Sequence, residues 1–127
     1  MTNIKFRLRI KRDGVVETHY KTLDNLIDGW FNTIQYKSSL EILSKDQYTG
    51  AKDKNGKEIY EGDVVRFVSW EREWDTIEIE LVEPIEFKEG AFDPIPKRCK
   101  CEDGYYSYGY KNFEVIGSIY ENPELLE

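Results

Sequence analysis

Asp53, Glu58, Glu61 and Asp63 place four carboxylates within eleven residues. Carboxylates that close together serve either to hold a cation or to move a proton. A calcium loop starting at Asp53 needs Asp or Asn two and four residues on and Gly five residues on; Asn55 fits that pattern, whereas Lys57 and Glu58 do not. Acid–base or nucleophilic chemistry has few other parts to work with, because the sequence holds one His, His19, and has no Gly-x-Ser-x-Gly elbow, phosphate-cradling loop or dinucleotide fingerprint. Asp and Glu are so numerous that any pair picked for hydrolysis is arbitrary. The expectation is a protein that is not an enzyme and carries no metal or other cofactor.

Two further rows have spacings suited to binding. Lys5, Arg7, Arg9 and Lys11 alternate with Phe6, Leu8 and Ile10, so in a strand they share one face at intervals of about 6.5 Å, near the phosphate spacing of a nucleic-acid strand. The same pattern describes a solvated outer face whose charges pair with Glu17 and its neighbours. Tyr106, Tyr108 and Tyr110 line one face of a second strand, as tyrosines that stack on bases, anchor a protein partner or simply pack in a core would. Trp70 and Trp74 flank Glu71-Arg72-Glu73, which places one of them at an interface. Cys99 and Cys101 are one residue apart, too close for a mutual disulfide, and with only a distant His19 they cannot make up a zinc site.

Composition narrows the classes. The chain has 127 residues, 39% hydrophobic and 34% charged, with 18 basic against 25 acidic side chains. That is one domain's length, it lacks an apolar run able to span a membrane, and its net charge of −7 is not a nucleic-acid footprint. Residues 1–46 hold eight basic and six acidic groups, residues 47–127 ten and nineteen. Such opposed halves suit self-association or one locally basic face, although interspersed charges are ordinarily a solvated surface. The N-terminus has no segment of signal-peptide length, so a cytoplasmic location is expected.

The elements that must position these groups follow from periodicity. Residues 4–11 alternate as a half-buried strand, and a hairpin leads into Val15–Tyr20. A three-residue loop, Arg12-Asp13-Gly14, would pair Ile10 with Val16, Leu8 with Thr18 and Phe6 with Tyr20, matching the apolar faces and setting Arg9 opposite Glu17. Leu23, Leu26, Ile27 and Trp30 recur at helical spacing behind Thr22 as N-cap. Strands are expected over Phe31–Tyr36, Leu40–Leu43, Val64–Trp70, Thr76–Val82, Tyr105–Tyr110 and Phe113–Tyr120, the last two separated by Lys111-Asn112. Residues 47–63 read as an ordered loop with little regular structure, residues 88–104 as a long loop, and Asn122-Pro123 as the start of a final helical turn. The fold class is mainly β: antiparallel strands forming a small, partly open barrel-like core, with an N-terminal hairpin and one short helix over 1–46 and the barrel-like part over 47–127 of a single domain.

From Gln47-Tyr48-Thr49-Gly50-Ala51-Lys52-Asp53 through Lys54-Asn55-Gly56-Lys57-Glu58-Ile59-Tyr60 to Glu61-Gly62-Asp63-Val64-Val65, the sequence resembles the YopX family of phage and prophage proteins. Ile4-Lys5-Phe6-Arg7 and the closing Phe113-Glu114-Val115-Ile116-Gly117-Ser118-Ile119-Tyr120-Glu121-Asn122-Pro123-Glu124-Leu125-Leu126 agree in order and spacing, and Gly90-Ala91-Phe92 is a weaker fourth anchor. Lys45-Asp46 departs from the pattern, which has an apolar residue there. The resemblance implies a β-rich fold with a barrel-like core, self-assembly, a place in the infected bacterial host, and no catalytic residue to carry over. It marks Tyr48, Gly50, Asn55, Gly56, Ile59, Tyr60, Gly62, Asp63, Asn122 and Pro123 as motif residues. Independently of the family, Ile59 and Tyr60 are the only large apolar side chains in a charged stretch between glycine turns, so the loop should be a structural clasp anchored in the core. The expected function is a non-catalytic phage accessory module that binds itself and a phage or host protein. The alternative is a small-barrel nucleic-acid binder using Lys5, Arg7, Arg9 and Lys11 with Tyr106, Tyr108 and Tyr110.

Overall fold

A computed structural model describes the backbone of residues 4–27, 40–72, 76–100 and 106–127, and side chains over 4–25, 41–72, 76–97 and 108–127. The chain divides into two compact units, residues 1–48 and 49–127. The structure is mainly β, as expected, with antiparallel strands and, among the described residues, one short α-helix.

In the first unit β1 (Lys5–Arg12) lies between β2 (Val15–Thr22) and β3 (Leu40–Lys52). The alternation of β1 predicts this strand, and Leu8 and Ile10 are fully buried. The hairpin corrects the expected register. Asp13 and Gly14 alone form the loop, both with positive φ (50° and 84°), and the pairs are Ile10 with Glu17, Leu8 with His19, Phe6 with Lys21 and Arg9 with Thr18. Two consecutive left-handed residues build the tight turn whose twist matches that of the strands, and this local preference overrides the matching of apolar faces. Among the described residues β2 pairs with β1 alone, which makes the override tolerable. Glu17 meets Arg12 and His19, each at 3.3 Å, while Val16 and Tyr20 are turned outward and left 50% and 62% exposed. The helix α1 (Leu23–Ile27) begins as expected: Asn25 N–H donates to Thr22 Oγ1 and Thr22 N–H to Asn25 Oδ1, a reciprocal cap. Trp30 and the strand expected over Phe31–Tyr36 lie outside the described residues.

Strand β3 bulges at Leu43, where the partners of Arg9 and Ile10 are Ser44 and Ile42, and it runs on into the stretch expected to be loop. With β4 (Glu58–Tyr60) it makes a hairpin, so residues 47–63 are largely strand. The sheet β2-β1-β3-β4 is curled into a half-barrel. The second sheet has the order β6-β5-β10-β9, from β5 (Asp63–Arg72), β6 (Thr76–Pro84), β9 (Lys97–Lys100) and β10 (Tyr106–Ser118). β7 (Glu86–Lys88) and β8 (Ala91–Asp93) pair with each other. Part of the expected loop over 88–104 is therefore strand. The two strands expected at Tyr105–Tyr110 and Phe113–Tyr120 are one, because Asn112 takes a positive φ of 57° and absorbs the irregularity as a bulge. The core of residues 49–127 is Ile59, Val65, Phe67, Ile85 and Phe113. Phe67 stacks on Phe113 at 4.8 Å and meets the edge of Tyr110 at 5.0 Å. A 3-10 turn over Pro123–Leu126 closes the chain.

The hairpin turn gives a direct test. A Cβ at Gly14 would meet nothing within 4 Å, so Gly14→Ala brings only the left-handed strain, about 1 kcal/mol. The melting temperature should fall by a few degrees with the fold intact.

Candidate functional site

The motif hairpin is organised by two buried carboxylates, one at each end of β4. Asp53 closes β3: its Oδ1 accepts N–H bonds from Asn55 and Lys57 at 2.9 Å, shaping the turn that Gly56 completes with φ 83°. Its other oxygen accepts the N–H of Val115 on β10 at 3.0 Å, and Lys54 N–H donates to Phe113 O at 2.8 Å. Burial alone would push the Asp53 carboxyl up. The N–H donors of Val115, Lys57 and Asn55, with the Lys57 charge, outweigh that and hold it below its ordinary value of 3.8. On the neighbouring surface Glu114 bridges Lys54 at 3.0 Å and Arg66 at 3.1 Å, and the two cations hold its carboxyl low as well.

Asp63 works at the opposite end, where its Oδ2 accepts Tyr60 N–H at 2.8 Å. Between them Gly62, buried with φ 86°, donates to Ile85 O at 2.9 Å and accepts from Ile119 at 2.8 Å. Ile59 is fully buried and Tyr60 is 3% exposed, its hydroxyl donating to Glu58. Gly50 turns through φ 88° inside β3, and beside it Thr49 Oγ1 donates to Ile59 O and accepts from Ala51 N–H. Asn122, ahead of Pro123, accepts Ser118 N–H, and a Cβ at Gly117 would lie 2.5 Å from its Oδ1. Tyr48 is half-buried under the Lys5 ammonium, 5.4 Å from its ring centroid. The bonds of Asp53, Asp63, Thr49 and Asn122 run from side chain to backbone, which fixes a chain path. Sequence reading weighed Asp53 as a ligand and missed its tie to Val115, since nothing local points 62 residues ahead. Among the described residues no group of three His, Cys, Asp or Glu is placed to hold a metal ion.

The basic row is not the solvated face that was expected. Arg7 reaches Asp46 at 3.0 Å with side-chain exposures of 12% and 3%, so the residue that departs from the motif pattern is buried as half of an ion pair. Lys5 and Arg9 are half-buried, and Lys11 alone is well exposed. Three of the four cations are thus poorly presented to a phosphate backbone. Of the tyrosine row, Tyr110 packs on the core beneath Lys97, whose ammonium sits 4.5 Å above its ring, while Tyr108 is 47% exposed. Tyr106 begins β10, its side chain outside the described residues, as are Trp74 and the side chains of both cysteines. The two rows lie in different sheets.

An exposed apolar row on β6 escaped the sequence reading. Ile77, Ile79 and Leu81 alternate as a core-facing strand should, yet Ile77 and Ile79 are each 56% exposed. Nothing in the alternation tells where the core stops.

A model of the YopX protein family matches residues 3–127 of the chain. No curated protein and no solved structure matches it.

Two tests follow from the clasp. Tyr60→Ala empties a buried aromatic site and should cost about 3 kcal/mol, or about 10 °C of melting temperature, and Gly62→Val should destabilise comparably; charge changes at exposed Lys54 or Lys57 should shift it by less than about 2 °C. Because Asp53 titrates lower in the folded chain than its ordinary 3.8, its contribution is complete above that value and is lost as pH falls through the folded one. Urea titrations should therefore show Asp53→Asn less stable by about 1–3 kcal/mol near pH 6, with the gap narrowing below about pH 4.

Proposed function

The chain belongs to the YopX protein family, and we propose that it is a non-catalytic phage or prophage accessory protein that acts in the host cytoplasm by binding protein, first of all another copy of itself. The observation that carries this reading is the apolar face of the second sheet. Leu81 packs on the core opposite Phe67; two and four residues away on the same strand face, Ile79 and Ile77 extend that face into solvent, opposite Ser69 and Glu71. Tyr108 of β10 lies opposite Glu71 and adds to it. Covering one Ile side chain is worth about 1.5–3 kcal/mol, so a partner seated here gains where water does not. The two motif carboxylates named above, Asp53 and Asp63, bond to backbone N–H groups, which supports a role without catalysis.

Sedimentation velocity tests the self-binding clause. Species heavier than the 15.1 kDa monomer should grow in from about 10 to 200 μM, in the affinity range of small interfaces. Ile77→Ser with Ile79→Ser should abolish them without lowering the melting temperature. A monomer at every concentration would overturn the clause.

A further inference from the structure

We infer that the turn at Asn55-Gly56 is a self-modification site, where the chain deamidates its own motif hairpin at a rate that Asp53 restrains. Asn55 is the one asparagine of six that precedes glycine; the others precede Ile4, Leu26, Thr33, Phe113 and Pro123. The reaction needs a main-chain nitrogen to reach the side-chain carbonyl carbon of the residue before it, and a Cβ on the attacking residue obstructs that approach. Glycine has none. Asn55 and Gly56 are both exposed, so water reaches the site, and a Cβ built at Gly56 would meet nothing within 4 Å, so the space around the attacking residue is open.

The step balances with water as the only co-reactant. Gly56 N gives up its proton and attacks Asn55 Cγ; the N–Cγ bond forms, the Cγ–Nδ2 bond breaks, and Nδ2 takes up a proton and leaves as ammonia. One water then opens the five-membered imide. Cleavage at Cγ leaves aspartate on an unchanged main chain, whereas cleavage at the Asn55 carbonyl carbon leaves isoaspartate, with the main chain lengthened by one carbon. Three bonds to Asp53 restrain the first step. Gly56 N–H, whose proton must go, donates to Asp53 O at 3.0 Å, and the N–H groups on either side of it, those of Asn55 and Lys57, both donate to Asp53 Oδ1 at 2.9 Å. Swinging Gly56 N toward Cγ gives up these bonds, and the carboxylate's charge opposes a second negative charge on the nitrogen. The product undoes the restraint. An extra main-chain carbon ahead of Lys57 carries that residue off Asp53, which it meets both at Oδ1 and through the Asp53 N–H bond to Lys57 O at 2.8 Å. The Val115 N–H on the other Asp53 oxygen then loses a fixed partner, so conversion loosens the hairpin from β10.

Incubation of the full chain at neutral pH, sampled over weeks and read by peptide mass spectrometry, tests this. The peptide holding Asn55 should show the mass of an amide-to-acid exchange and an isoaspartate signature, while those holding Asn112 and Asn122 keep their mass. Conversion should run about tenfold slower than in the same chain unfolded in urea, and Asp53→Ala should bring the folded rate to within about twofold of the unfolded one. Asp53→Asn, a weaker acceptor of the same shape, should fall between and serves as the check should Asp53→Ala fail to fold. Gly56→Ala should stop conversion at Asn55. Converted chain, separated by its added negative charge, should melt a few degrees below the unconverted chain. A folded chain that keeps its Asn55 amide while the unfolded chain loses it would overturn the site. A folded rate equal to the unfolded one, or one that neither Asp53 variant changes, would overturn the restraint, and an unaltered melting temperature in the converted chain would overturn the loosening.

Discussion

A carboxylate taken out of water must be surrounded by donors, and in residues 49–127 Asp53 finds them in the turn between β3 and β4 and on β10 of the other sheet. Its one oxygen shapes the turn between β3 and β4, and its other holds Val115 on β10. The hairpin and the long strand are thereby set in register with each other before any side-chain packing is counted. Asp63 repeats the device at the far end of β4, and the interval between the two acids pushes Ile59 and Tyr60 inward, Ile59 joining Phe67 and Phe113. Gly62 completes the arrangement, because its left-handed backbone lets one residue reach both Ile85 and Ile119.

The same requirement governs residues 1–48. As the strand between β2 and β3, β1 has a neighbour along each edge and buries Leu8 and Ile10 on one face. Its other face holds Arg7 against Asp46, and a buried cation needs such an acid because an unpaired one would be prohibitively costly. A chain with 34% charged residues thus spends several of its most conspicuous charges on its own architecture. A motif dense in acids turns out to hold a scaffold, and a row of bases that resembles a phosphate track is largely withdrawn from solvent.

What remains outward is apolar where polar residues would be expected. The tight Asp13-Gly14 turn rotates Val16 and Tyr20 to the exposed side of β2, and β6 carries Ile77 and Ile79 past the end of the core. Both consequences arise on strands that are outermost in their sheets among the described residues.

Wherever a single period or a local bond decided the outcome, the sequence was enough. The alternation of residues 4–11 and 76–82, the Thr22 cap of α1, the turn at Pro123 and the burial of Ile59 and Tyr60 were all legible from neighbours within a few residues. Competition between local and distant terms was not. The hairpin register set a two-residue turn preference against face matching, and both were written in the sequence with no measure of their relative strength. Strands β4, β8 and β9 are three or four residues long, too short for a period to show. The Arg7–Asp46 and Asp53–Val115 contacts join residues 39 and 62 apart, and the end of the core along β6 depends on which residues lie opposite it. Periodicity and turn chemistry act over one turn or one strand and can be read from the chain alone; burial is a property of what packs against a residue, so it was settled by the assembled sheets.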